Sequence, residues 1–197
     1  MNQQNPKIDW RAKLSKDQIL TIPNLLSFFR IALIPIIAWL YCTEHPYWAL
    51  SVVILSGLTD LADGYIARKY NMITDFGKMI DPIADKLTQG VVLICLLTHF
   101  PWMWLPLGIM ILKEIFSLSL RLIVFKKTEL VTSAVWHGKL CTCLLYFIMA
   151  LHIVWPTIPS LPSLISIFVV SAVMIYSFIR YTIDGINIIR QPEKYQK

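Results

Sequence analysis

Six apolar runs, over roughly 24–43, 48–67, 79–99, 103–124, 138–155 and 162–183, constrain this chain more than anything else in it. Each holds about 20 mostly apolar residues, enough for a helix to cross the hydrocarbon core of a bilayer. With 56% of its 197 residues hydrophobic and only 15% charged, the chain is too apolar for a soluble domain of its size. The expected fold is an all-α integral membrane protein of six transmembrane helices. Pro46, Pro101, Pro156, Pro159 and Pro162 fall at the connections, while Pro35 and Pro106 lie inside or at the start of spans. The simplest partition is an N-terminal segment over 1–22, one membrane domain over 23–185 and a tail over 186–197.

The charges alternate between connections. Lys7, Arg11, Lys13 and Lys16 precede the first run, and Arg68, Lys69 and Lys78 follow the second. Lys126, Lys127 and Lys139 follow the fourth, and Arg190, Lys194 and Lys197 close the chain. The other connections, "TEHPY", "HFPWMW" and "WPTIPSLP", have neither Lys nor Arg. The positive-inside rule then predicts both termini on the cytoplasmic side. The net charge of +6 reads as topology plus attraction to anionic lipid, not as a nucleic-acid surface, because no basic stripe forms. The first residues are polar and lack the early apolar core of a cleaved signal peptide. Within them "KIDWRAKLSKDQIL" reads as either an amphipathic interfacial helix or a solvated tail. Cys42, Cys95, Cys141 and Cys143 read as small core residues.

Against this background the stretch "DLADGYIARKYNMITDFGKMIDPIADK" is anomalous, because charge inside a span is costly. On the second run Asp60, Asp63, Gly64 and Ala67 share one helix face; on the third, Gly77, Asp81 and Asp85 recur every four residues. A short connection makes the two helices antiparallel neighbours, and at 1.5 Å per residue both Asp60 and Asp85 lie about 12 Å from the connecting end. Asp75 lies in the connection. Four carboxylates so gathered need a cation. An all-oxygen set favours Mg²⁺, Mn²⁺ or Ca²⁺, and no histidine lies in the segment. The plainer alternative is neutralisation by Arg68, Lys69, Lys78 and Lys86 as interfacial ion pairs. Gly64 and Gly77 would let a ligand approach the backbone, although small residues also serve helix packing. With Arg68 suited to a phosphate, the group points to a phosphorylated, nucleotide-bearing substrate. A divalent-cation transporter fits less well, since "ALSVVILSG" and "VVLICLLTHF" leave the outer halves apolar.

The pattern D-x2-D-G-x2-A-R-x8-G-x3-D-x3-D, carried by Asp60, Asp63, Gly64, Ala67, Arg68, Gly77, Asp81 and Asp85, resembles the signature of the CDP-alcohol phosphotransferase family. That resemblance implies a six-helix enzyme of the cell (inner or plasma) membrane, usually a homodimer, with its site open to the cytoplasm. It implies transfer of a substituted phosphate from a CDP-linked donor to an alcohol, with release of CMP. By position, Asp60, Asp63 and Asp81 would hold two ions, Mg²⁺ or Mn²⁺. Asp85 would be the general base and a further metal ligand. Asp60, Gly64, Ala67, Arg68 and Gly77 would line the CDP site. "TIPNLLSFFRIALIP", with Pro23, Asn24 and Arg30, resembles the first helix of bacterial phosphatidylglycerophosphate and cardiolipin synthases. "LKEIFSLSLR" and "WHGKLCTC" resemble segments that give such synthases Lys113, Arg121 and Lys139 for an acceptor phosphate. Lys113 stands where arginine is commoner, and a second lysine is missing after Lys139. The resemblance implies CDP-diacylglycerol as donor and glycerol 3-phosphate as acceptor, with phosphatidylglycerol the alternative. His137 reads as interfacial.

Overall fold

The computed structural model describes residues 21–70, 72, 74, 77–128 and 136–190. Helices α1 (Ile22–Cys42), α2 (Pro46–Lys69), α3 (Gly77–Leu96), α4 (Trp104–Thr128), α5 (Trp136–Val154) and α6 (Ser160–Arg190) follow in order, with a 3₁₀ turn at Pro101–Met103 before α4. Among the described residues there is no strand. Prolines open α1 and α2 in the first turn, where a missing N–H costs nothing. At the end of α1 the Thr43 hydroxyl donates to the Trp39 carbonyl at 2.9 Å, and Glu44 turns the chain with φ of 60°. The sequence spends no glycine on that left-handed turn.

Six runs were expected to span; the six helices are there, and four meet the length and apolarity needed to cross a membrane. These are Ile22–Cys42, Pro46–Ala67, Pro101–Leu120 and Ser160–Arg190. The apolar part of α5, Gly138–Val154, is shorter. Helix α3 has 20 residues, but Lys78, Asp81, Asp85 and Lys86 crowd its first half. The candidate site itself dilutes its apolarity. Helix α6 runs past the expected end of its span at 183 to Arg190, because a helix can outlast the apolar run that carries it. The proposed amphipathic helix over residues up to 20, Asp75 and the tail from 191 lie outside the described residues.

By internal contacts the chain divides into two units, one through Val92 and one from Leu93 onward. In the first, α1 packs along α2, burying Leu33, Ile37 and Tyr41 with Ala49 and Val53. In the second, α4 and α5 each pack on α6. Phe116 meets Phe178 edge-on with centroids 5.1 Å apart, and Gly185 lies where an added Cβ would come within 2.5 Å of Leu120 Cδ2. Buried His152 ties α5 to α6: its Nδ1 donates to the Ile148 carbonyl at 2.8 Å, and its Nε2 accepts from the Ser163 hydroxyl at 3.0 Å. The carbonyl can only accept, which fixes the tautomer.

Large apolar side chains point outward along both units, as suits helices solvated by lipid rather than water. Trp39, Tyr47 and Trp48 flank the first connection without Lys or Arg; Trp102, Trp104 and Trp155 flank the other two. Exposed aromatics at helix ends are the usual anchors at a membrane interface. The cysteines correct one expectation. Cys95 and Cys141 are buried as core residues, whereas Cys42 and Cys143 are exposed, since a small apolar thiol is as acceptable against lipid as against protein.

Candidate active site

Helix α1 carries Asn24, Ser27 and Arg30 three residues apart, and all three are essentially buried, at 1%, 0% and 2% exposure. That spacing keeps them on one side of an otherwise apolar helix. Burial of three polar side chains on a lipid-facing helix demands partners, and for Ser27 and Arg30 the signature aspartates supply them. Arg30 Nη1 pairs with Asp60 Oδ1, and Nη2 with Asp63 Oδ2 at 2.7 Å; Nη2 also lies 3.6 Å from Asp81 Oδ1. The Ser27 hydroxyl donates to the same Asp81 oxygen. Asp63 is buried, while the Asp60 and Asp81 side chains remain 47% and 39% exposed. Two acids of α2 and one of α3 thus converge on a guanidinium from α1.

Asn24 acts at the start of α3. Its amide exchanges hydrogen bonds with the Thr74 hydroxyl at 3.2 Å, and Thr74 Oγ1 accepts the N–H of Gly77 at 3.0 Å. Such capping satisfies a donor that the helix cannot. A Cβ on Gly77 would come within 2.6 Å of Asn24 Oδ1 and 3.0 Å of Thr74 Oγ1. A side chain here would displace Asn24, while the backbone conformation itself makes no demand for glycine. Further along α3, Asp85 receives a hydrogen bond from Gln89 Nε2 at 3.0 Å and lies 3.8 Å from Lys86 Nζ. Lys86 also donates to Gln89 Oε1 at 3.3 Å. Pro82, beside Asp81, withholds one helical donor from the turn before it.

The expected two-helix cluster therefore has a third wall. Asp60, Asp63 and Asp81 meet, and Asp85 sits one turn beyond Asp81 with its own partners. Among the described residues the cation at the centre is Arg30, while Lys69 lies 5.3 Å from the Tyr65 ring and 5.8 Å from that of Tyr70. Gly64 and Ala67 lie part-buried on α2. The side chains of Arg68, Arg121 and His137 fall outside what is described. Lys113 is part-buried on α4 and Lys139 exposed at the start of α5, both in the second unit. Ser27, Thr74 and Gln89 are additions. Ser27 completes the three-residue period of Asn24 and Arg30, and Gln89 extends the four-residue period of Gly77, Asp81 and Asp85, so periodicity alone signals both. Thr74 has no such signal.

The profile of the CDP-alcohol phosphatidyltransferase family matches residues 20–180. The chain belongs to that family. Among similar members, one from Escherichia coli (strain K12), named CDP-diacylglycerol–glycerol-3-phosphate 3-phosphatidyltransferase, is 32% identical over 167 residues, 81% of this chain and 92% of the relative. One of the same name from Rickettsia bellii (strain RML369-C) is 42% identical over 103 residues, 51% of this chain and 57% of that protein. A third, from Shigella flexneri serotype 5b (strain 8401) and named likewise, is 35% identical over 127 residues, 61% of this chain and 70% of its own length.

The donor set suits the hard divalent ions expected of a site in this family. The contacts described engage one oxygen of each carboxylate: Oδ1 of Asp60, Oδ2 of Asp63 and Oδ1 of Asp81. A carboxylate has about four lone-pair sites, so these contacts leave it capacity to bind a metal. Among the described residues no three acidic, His or Cys side chains are placed to hold a metal ion, and the Arg30 guanidinium lies against Asp60, Asp63 and Asp81.

Proposed function

We propose that this chain transfers a phosphatidyl group from CDP-diacylglycerol to the hydroxyl of glycerol 3-phosphate and releases CMP. The observation that carries this reading is the convergence of Asp60, Asp63 and Asp81, all signature positions, within one unit. The names of the relatives supply the donor and acceptor. Asp60, Asp63 and Asp81, with Asp85 as a further ligand, would hold two Mg²⁺ or Mn²⁺ ions. Bound there, such ions neutralise the pyrophosphate and the charge developing on CMP.

The chain's own residues do the rest. Asp60, Gly64, Ala67, Arg68 and Gly77 form the CDP site, with Asn24 and Thr74 holding Gly77 against the start of α3. Asp85, oriented by Gln89, takes the proton of the acceptor hydroxyl. The acceptor oxygen bonds to the phosphatidyl phosphorus; the bond from that phosphorus to the bridging oxygen breaks, and CMP leaves with the electron pair. Lys113, Arg121 and Lys139 recognise the acceptor's phosphate, a role that rests on their charge and the sequence match. All six helices cross the membrane as one catalytic domain over 23–185, in a homodimer, with both termini and the site cytoplasmic. The lack of Lys and Arg in the connections "TEHPY", "HFPWMW" and "WPTIPSLP" supports that orientation.

Purified protein with Mg²⁺ and CDP-diacylglycerol is tested for CMP release with glycerol 3-phosphate, phosphatidylglycerol, inositol phosphate and serine in parallel. Release with glycerol 3-phosphate, abolished by chelation, is the expected result. Release only with another alcohol overturns the acceptor, and no release with any overturns the activity.

A further inference from the structure

Arg30 is the most deeply buried charged side chain among the described residues. It is 2% exposed, and its Nε has no hydrogen-bond partner among the described residues. Its two remaining nitrogens contact aspartates of the signature. A buried guanidinium is retained only where acids compensate it, and acids packed this closely are tolerated only where a cation compensates them. Each side therefore needs the other whenever no other cation is present. Asp63, buried with Arg30, forms the closed end of the arrangement; Asp60 and Asp81, each more than a third exposed, form the open end.

We propose that Arg30 is a built-in counter-cation: it holds Asp60, Asp63 and Asp81 together before divalent ions arrive, and it competes with those ions for the same carboxylates. It is a positioning residue, touching the aspartates rather than substrate. The proposal rests on the divalent-ion reading of the site. Pre-assembly spares the chain the repulsion of unpaired acids in low dielectric. Its cost is weaker ion binding, because one unit of positive charge already sits among the donors.

The two effects separate on removal of the charge. Metal-free Arg30→Gln, in detergent micelles, is expected to unfold several degrees below the wild type. Its apparent Mn²⁺ dissociation constant, read from the paramagnetic resonance of free Mn²⁺, should fall at least about tenfold. Mn²⁺ should accordingly raise its unfolding temperature by more than it raises that of the wild type. A residue needed only for packing would lower stability and weaken Mn²⁺ binding together, and that result overturns the proposal, as does unchanged metal-free stability. If Arg30→Gln does not fold, Arg30→Lys decides. It keeps the charge but lacks the planar fork that grips two carboxylates. Tighter Mn²⁺ binding than wild type is expected of it, and equal or weaker binding overturns the proposal. Wild-type protein that binds no Mn²⁺ also overturns it. Wild-type protein that binds Mn²⁺ yet releases no CMP overturns the activity alone.

Discussion

At the residue scale, the assignments separate by what each side chain touches. Asp85 accepts a hydrogen bond from Gln89 and lies 3.8 Å from Lys86 Nζ. Asp85→Asn should cut CMP release by about a hundredfold or more in initial-rate assays at saturating Mn²⁺, since general-base catalysis contributes on that scale. Gly77→Ala tests the cradle. Its methyl meets Asn24 Oδ1, so Asn24 must turn away and Thr74 loses its partner. The expected outcome is a rise in KM for CDP-diacylglycerol of about tenfold, worth about 1.4 kcal/mol, read from initial rates. The acids and glycines were legible in the sequence because fixed helical spacing puts them on shared faces. Asn24 and Arg30 were legible only as members of a pattern. That Arg30 pairs with Asp60, Asp63 and Asp81 is a tertiary fact: it depends on which face of α1 meets α2, and sequence spacing within α2 and α3 carries no information on it.

At the element scale, helix positions followed from apolar runs and prolines, and their ends drifted where apolarity and helicity part company. Helix α3 shows it at its charged start and α6 at its polar finish. The tight α1–α2 turn is legible in the sequence only as a connection without Lys or Arg, because nothing in "TEHP" announces a left-handed residue. Glu44 holds φ of 60° there, a conformation that costs a side-chain-bearing residue more than glycine. Glu44→Gly should stabilise the fold by about 0.5–1 kcal/mol, raising the unfolding midpoint in micelles. Loss of stability instead would mean that the Glu44 side chain contributes contacts outweighing its strain.

At the scale of the whole molecule, the bilayer is the solvent that the sequence implies and the outward apolar side chains meet. Helix α6, with 31 residues, is about 46 Å long, well beyond a hydrocarbon core of about 30 Å. Helix α1, with 21 residues, is about 32 Å long and has almost no length to spare. A thicker or thinner membrane is thus a mechanical load that α6 can absorb by sliding turns through the headgroup layer. For α1 the same mismatch must be met by tilt or by local deformation of the lipid. Since Asn24, Ser27 and Arg30 all ride on α1, acyl-chain length becomes a control on the carboxylates themselves. Activity in reconstituted bilayers should peak at one chain length and fall on either side, and a flat profile from fourteen to twenty-two carbons would show that α1 is held by its neighbours alone.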